Sequence, residues 1–173
     1  MNKIIRSIAI IALLFMVTGM SAQTNGIDKF YEKYQQDDRF TKISISSKMF
    51  GLFANFEMDD ANEKEMVKTI SKLKGLKMLV GESIPEAKSI FTQAIKRPAA
   101  EMEELMVVQD KSQELRFYIT ESAGVISELL MVSYSENSVV MMSLVGDIDL
   151  KQISKLSKKM DIEGFEHLEN VGK

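Results

Sequence analysis

The sequence predicts an α+β domain: an antiparallel β-sheet, built from a C-terminal four-strand meander plus one or two N-terminal strands, covered by helices. Three observations predict it. Four β-rich runs, "ELMVVQD", "ELRFYIT", "VISELLMVSYS" and "SVVMMSLVG", follow one another in the second half, separated by the turn phrases "DKSQ", "ESAG" and "SENS". The first half carries mostly helical spacing, interrupted by "FTKISIS" over 40–46, which alternates and is rich in β-branched residues. The chain has no cysteine, so no disulfide framework substitutes for a packed core.

Residues 1–22 stand apart. Lys3 and Arg6 precede an uncharged apolar run from Ile8 to Val17, and Gly19, Ser21 and Ala22 close it, which is the layout of a secretory signal peptide. The run is shorter than the roughly 20 residues of a membrane span. Export is therefore expected, with cleavage after Ala22, or after Ser21 because Met20 is bulky for its place before the first cut. Residues 23–173, about 150 of them, suit a single α+β domain that buries roughly two thirds of its unfolded surface.

Along the chain, Ile27, Phe30, Tyr31 and Tyr34 recur at i, i+3, i+4 and i+7, the spacing of a short helix ending near "QQDDR". The strand at 40–46 leads by a strand-to-helix step into "KMFGLFANF". Asp60 with Glu63, or Asn62 with Glu65, starts a helix whose buried face is Met66, Val67, Ile70 and Leu73 and which Gly75 stops. "LKMLVGE" over 76–82 reads as a strand, and Ser83 with Glu86 around Pro85 as the start of another helix. Ile84, Ala87, Ile90, Phe91, Ala94 and Ile95 form its buried stripe, and Arg97 and Pro98 end it.

In the meander, Leu115, Phe117 and Ile119 alternate with Arg116 and Tyr118, as in a strand buried on one side. "VVMMSLV" has no polar face apart from Ser143, which predicts a central strand covered on both sides. An I-S-K-L core shared by 69–79 and 152–168 is open to two readings, a duplicated unit and the chance recurrence of a lysine-rich helix phrase.

The residues that look most like chemistry are Asp147 and Asp149. Asp149 stands just before Leu150, Ile153, Leu156 and Met160, so its carboxylate is placed to accept the first free N–H groups of a helix and to face the positive end of its dipole. It is read as a structural helix cap; two oxygens fall short of the six to eight that calcium takes. Gly146 is read as ending the preceding strand. His167 is the only histidine, and no nucleophile elbow, paired metal histidines or phosphate loop accompanies it. No catalytic, cofactor-binding or metal-ligating residue is therefore assigned, and no cofactor is expected.

Of the thirteen methionines, all but Met1, Met16 and Met20 lie beyond the leader, including Met102, Met106, Met141 and Met142. They fall at apolar positions and are read as adaptable core filler, ahead of a Cu(I) site or a greasy pocket. Lys151, Lys155, Lys158 and Lys159 crowd the polar side of the last helix, three of them near its C-terminus, where positive charge suits the dipole. They form a solvated face and, as a sharper reading, an interaction face for an acidic protein partner or for anionic lipid headgroups in peripheral membrane contact. The formal charge of −3 becomes more negative by two when Lys3 and Arg6 leave, which argues against nucleic acid as a partner.

The stretches "FTKISISSKMFGLF", "KLKGLKMLVGE", "EELMVVQD", "LRFYI" and "VGDIDLKQISKLSKKMDIEGFEHL" span most of residues 27–168, and through them the chain resembles exported bacterial proteins of the domain-of-unknown-function family DUF4252. The resemblance implies the strand, aspartate-capped helix and closing segment of that family and brings no activity with it. Some similar proteins carry a lipoprotein cysteine after the leader; this chain has none, which places it as soluble in the periplasm. The reading is a noncatalytic binding or interaction module of the cell envelope, with an unidentified envelope protein as partner and no oligomeric state assigned. An apolar-ligand carrier and an enzyme using fold-assembled carboxylates are the opposing classes.

Overall fold

The computed structural model describes residues 27–53 and 60–154. Helix α1 (Asp28–Lys33) leads to strand β1 (Phe40–Ser46), helices α2 (Ser47–Phe53) and α3 (Ala61–Ser71) and strand β2 (Leu73–Gly81). Helix α4 (Ala87–Ala94) and the single turn α5 (Pro98–Glu101) then carry the chain to β3 (Glu103–Gln109), β4 (Gln113–Ser122), β5 (Val125–Ser135) and β6 (Ser138–Ile148). A further helical turn covers 150–154. The signal-peptide reading, its cleavage sites, His167 and most of the second copy of the I-S-K-L phrase lie outside the described residues.

The six strands form one sheet in the order β1-β2-β6-β5-β4-β3, with every neighbouring pair antiparallel. The α+β class is thus what the chain adopts, with the meander joined by two N-terminal strands. β6 lies between β2 and β5, so its apolar run is central. Its polar residue Ser143 is 1% exposed and is accommodated because its hydroxyl donates to Glu128 Oε1 on β5 at 2.7 Å.

Helices cover both faces. On the front face, Phe40, Leu79, Met141, Val132, Leu130 and Tyr118 pack with Ile27 and Tyr34 beside α1 and with Ala87, Ile90, Phe91 and Ala94 of α4. On the back face, Leu144, Met142, Met131, Leu129, Phe117 and Ile119 pack with Phe50 of α2, Ile70 of α3 and Ile153 of the last turn. Each fully buried large side chain stabilises the fold by about 1.5–3 kcal/mol, so neither layer is dispensable.

Four local expectations are corrected. β4 is not one-sided: Phe117 and Tyr118, adjacent and pointing to opposite faces, are both 0% exposed because α-helical layers cover both sides. The helix pattern through Leu73 and Gly75 is overridden, since α3 ends at Ser71 and both residues enter the ladder with β6, opposite Gly146 and Val145. Sheet pairing of two apolar strands outweighs a weak helix propensity there.

Ser83 does not begin a helix. It adopts a positive φ of 57°, Ile84 donates its N–H to Asn137 O at 2.7 Å, and α4 starts only after Glu86, whose carboxylate is taken by Arg39 Nη1 at 2.9 Å. Gly146 does not end β6, which runs on to Ile148. Its φ of 154°, and the 2.7 Å that would separate a Cβ from Leu73 Cα and Lys72 O, show instead that the β2 backbone passes too close for any side chain.

Candidate functional site

Asp149 sits between β6 and the turn 150–154. Its Oδ1 accepts N–H bonds from Lys151 at 3.0 Å and Gln152 at 3.2 Å, while its carbonyl accepts from Ile153 at 2.9 Å. Gln152 in turn donates from its side chain to Glu65 Oε1 on α3, tying the turn to the back layer. Asp147 is not part of this arrangement; its carboxylate pairs with Lys72 Nζ at 2.8 Å across the close β2–β6 approach, with both side chains about half exposed. Lys151 is exposed, and Lys155, Lys158 and Lys159 lie outside the described residues.

The methionines assemble in a way that spacing along the chain does not show. Met78, Met142 and Met131 are direct cross-strand neighbours on β2, β6 and β5, and Phe117 and Met106 continue the row over β4 and β3. Met142 and Met131 are 3% and 5% exposed within the back layer, where flexible thioethers fill the space between the sheet and the helices above it. Among the described residues no group of three or more His, Asp or Glu side chains is placed to hold a metal ion, and no helix is long and apolar enough to cross a membrane.

The sheet leaves two edges, and they differ. β1 carries Lys42 near its middle, with the ammonium donating to Gln35 O and Asp37 O at 3.2 Å each, so the loop before the strand is drawn over it. A lysine on an edge strand opposes pairing with another chain. β3 has no proline and no charged residue from Leu105 to Gln109, and it exposes Val107 and Val108, on opposite faces, to 38% and 36%. Among the described residues nothing pairs with its outer side. The ladder to β4 shifts register between Glu104 and Met106, and from Met106 to Gln109 it is regular.

Beneath that edge, on the front face of β4, lies a charged cluster. Arg116 donates through Nε to Glu114 Oε1 at 2.5 Å and through Nη1 to Glu104 Oε2 at 2.8 Å, and Gln109 Nε2 donates to the other Glu114 oxygen at 3.3 Å. Burial is the largest single influence on the guanidinium and pulls its pKa down, but the interactions with Glu114 and Tyr118 together outweigh it and the net shift is upward. Tyr118 stands next in the row. Its hydroxyl is buried beside Arg116 and Glu104 without a hydrogen bond among the described residues, and burial pushes the phenol above its ordinary pKa while Arg116 pulls part of the way back.

Alternation along "QELRFYI" could have put Glu114, Arg116 and Tyr118 on one face, but Glu104 joins Gln109 on that face only through the register shift in β3, and which side of β3 stays open depends on strand order. That order is invisible in a single sequence.

Fold and site together define a three-layer α+β domain whose sheet is shielded along one edge and, among the described residues, open along the other. The family model described as Domain of unknown function (DUF4252) matches residues 31–156, and the chain belongs to that family. No curated protein and no solved structure matches it.

Proposed function

We propose that this protein is a noncatalytic interaction module of the cell envelope that receives an extended segment of a partner protein along β3. The single observation that carries the reading is the contrast between the two edges: β1 is guarded by Lys42, whereas β3 presents main chain that is unpaired among the described residues, flanked by exposed Val107 and Val108. An added strand gains main-chain hydrogen bonds along such an edge and side-chain contacts on alternate faces. The leader at 1–22 supports an exported, periplasmic location. The enzyme reading finds less support, because the nearest carboxylates, Glu104 and Glu114, are both committed to Arg116.

Photo-crosslinking in cells tests the reading. A benzophenone side chain at position 107 or 108 is expected to form an adduct with an extended segment of one envelope protein. The same group at Ile43 on β1, which is 40% exposed, is expected to form none. Val107→Lys should abolish the adduct from position 108 without lowering the melting temperature. Equal crosslinking from Ile43, or none from 107 and 108, overturns the proposal.

A further inference from the structure

The charges around β3 identify the chemistry of the segment that fits it. β3 and β4 together carry four carboxylates, Glu103, Glu104, Glu114 and Glu121, against one guanidinium, Arg116. Arg116 is shared by Glu104 and Glu114, and Glu104 is 43% exposed at the rim of the pair. Glu103 is exposed and forms no ion pair among the described residues. The register puts Glu103 opposite Ile119 and Glu104 opposite Tyr118, so the two carboxylates flank the start of β3 on the back and front faces. After Leu105 and Met106, where the ladder to β4 shifts register, the acidic end is followed by the exposed apolar pair Val107 and Val108.

Resting on the strand-docking reading, we infer that the occupant is an antiparallel strand whose apolar residues meet Val107 and Val108 and whose following lysine or arginine residues meet Glu103 and Glu104. The antiparallel sense follows the five ladders of the sheet, and it fixes the order in the partner: apolar residues first, basic residues after them. Opposite charges facing each other across strands stabilise a pair, and like charges there disfavour it, so an acidic segment is rejected at the same positions.

Three capped peptides distinguish the possibilities when titrated into the 15N-labelled protein lacking residues 1–22. They are Thr-Val-Val-Thr-Thr-Lys-Lys, its Gln-Gln twin, and the reversed-order Lys-Lys-Thr-Thr-Val-Val-Thr. The first is expected to shift the β3 amides and to bind about tenfold tighter than the glutamine twin and the reversed peptide. That advantage should fall in Glu103→Gln, because the exposed Glu103 side chain carries no bond among the described residues, and should disappear near about 0.5 M salt, where surface charges are screened within a few ångströms. If lysine and glutamine peptides shift the same β3 amides with equal affinity, strand docking stands and the charge inference falls. If the reversed peptide wins, the antiparallel order is wrong. If no peptide moves the β3 amides, both readings fall.

Discussion

At Asp149 a single oxygen meets two backbone donors, Lys151 N–H and Gln152 N–H. Asp149→Ala should therefore cost about 1 kcal/mol, while Asp149→Asn and Asp149→Ser, which keep an acceptor, should retain most of the stability. Asp147→Ala loses only a half-exposed ion pair with Lys72 and should cost roughly 0.5 kcal/mol or less. Denaturant unfolding of the four variants checks the order; equal losses for Asp149→Asn and Asp149→Ala would show that ionised charge, not capping, is what position 149 supplies. Gly146→Ala is a harsher change. It places a Cβ 2.7 Å from Leu73 Cα and Lys72 O at a φ of 154°, and a loss of roughly 2 kcal/mol is expected because both obstructing atoms are backbone. An unfolding midpoint unchanged from wild type would mean that β2 shifts away at no cost.

The turn that joins β3 to β4 shows how one element end sets the next. Asp110 Oδ1 accepts from Ser112 N–H at 2.8 Å, Gln113 N–H at 3.0 Å and the Ser112 hydroxyl at 3.1 Å, which brings the chain back for the β4 ladder. These bonds, led by the Ser112 N–H, hold its carboxyl below the ordinary value of 3.8. A depressed folded-state pKa makes the contribution present above the unfolded value and removes it as pH falls through the folded one. Carboxyl NMR titration should place the Asp110 midpoint below 3.8, and Asp110→Asn should keep the turn while removing that part of the acid dependence. A midpoint at or above 3.8 would contradict the hydrogen-bonded turn. β1 was legible to the residue from alternation, and the meander strands nearly so, because period-two patterns and polar turns are local signals. Leu73 and Ser83 were misread for the opposite reason: their states are set by β6 and by Asn137, partners far along the chain.

For the whole molecule, the leader-like layout proposed for residues 1–22 makes a prediction that fold stability does not. Mass spectrometry of the protein from its native cell should find a chain beginning at Gln23, or at Ala22; full-length chain recovered from the cytoplasm would remove the periplasmic reading. By itself the sequence determined the α+β class, the strand-rich second half, the amphipathic face of α4 and the centrality of β6, since each follows from periodicity over a few neighbouring residues. It also placed Asp149 before a helix, because capping is local. Only the tertiary structure decided that helices cover both faces, that Met78, Met142 and Met131 stand side by side, that Arg116 is shared by Glu104 and Glu114, and that β3 is the open edge. Those facts depend on strand order. Strand order comes from which apolar surfaces bury best together across the entire chain, and no local stretch of residues contains that sum.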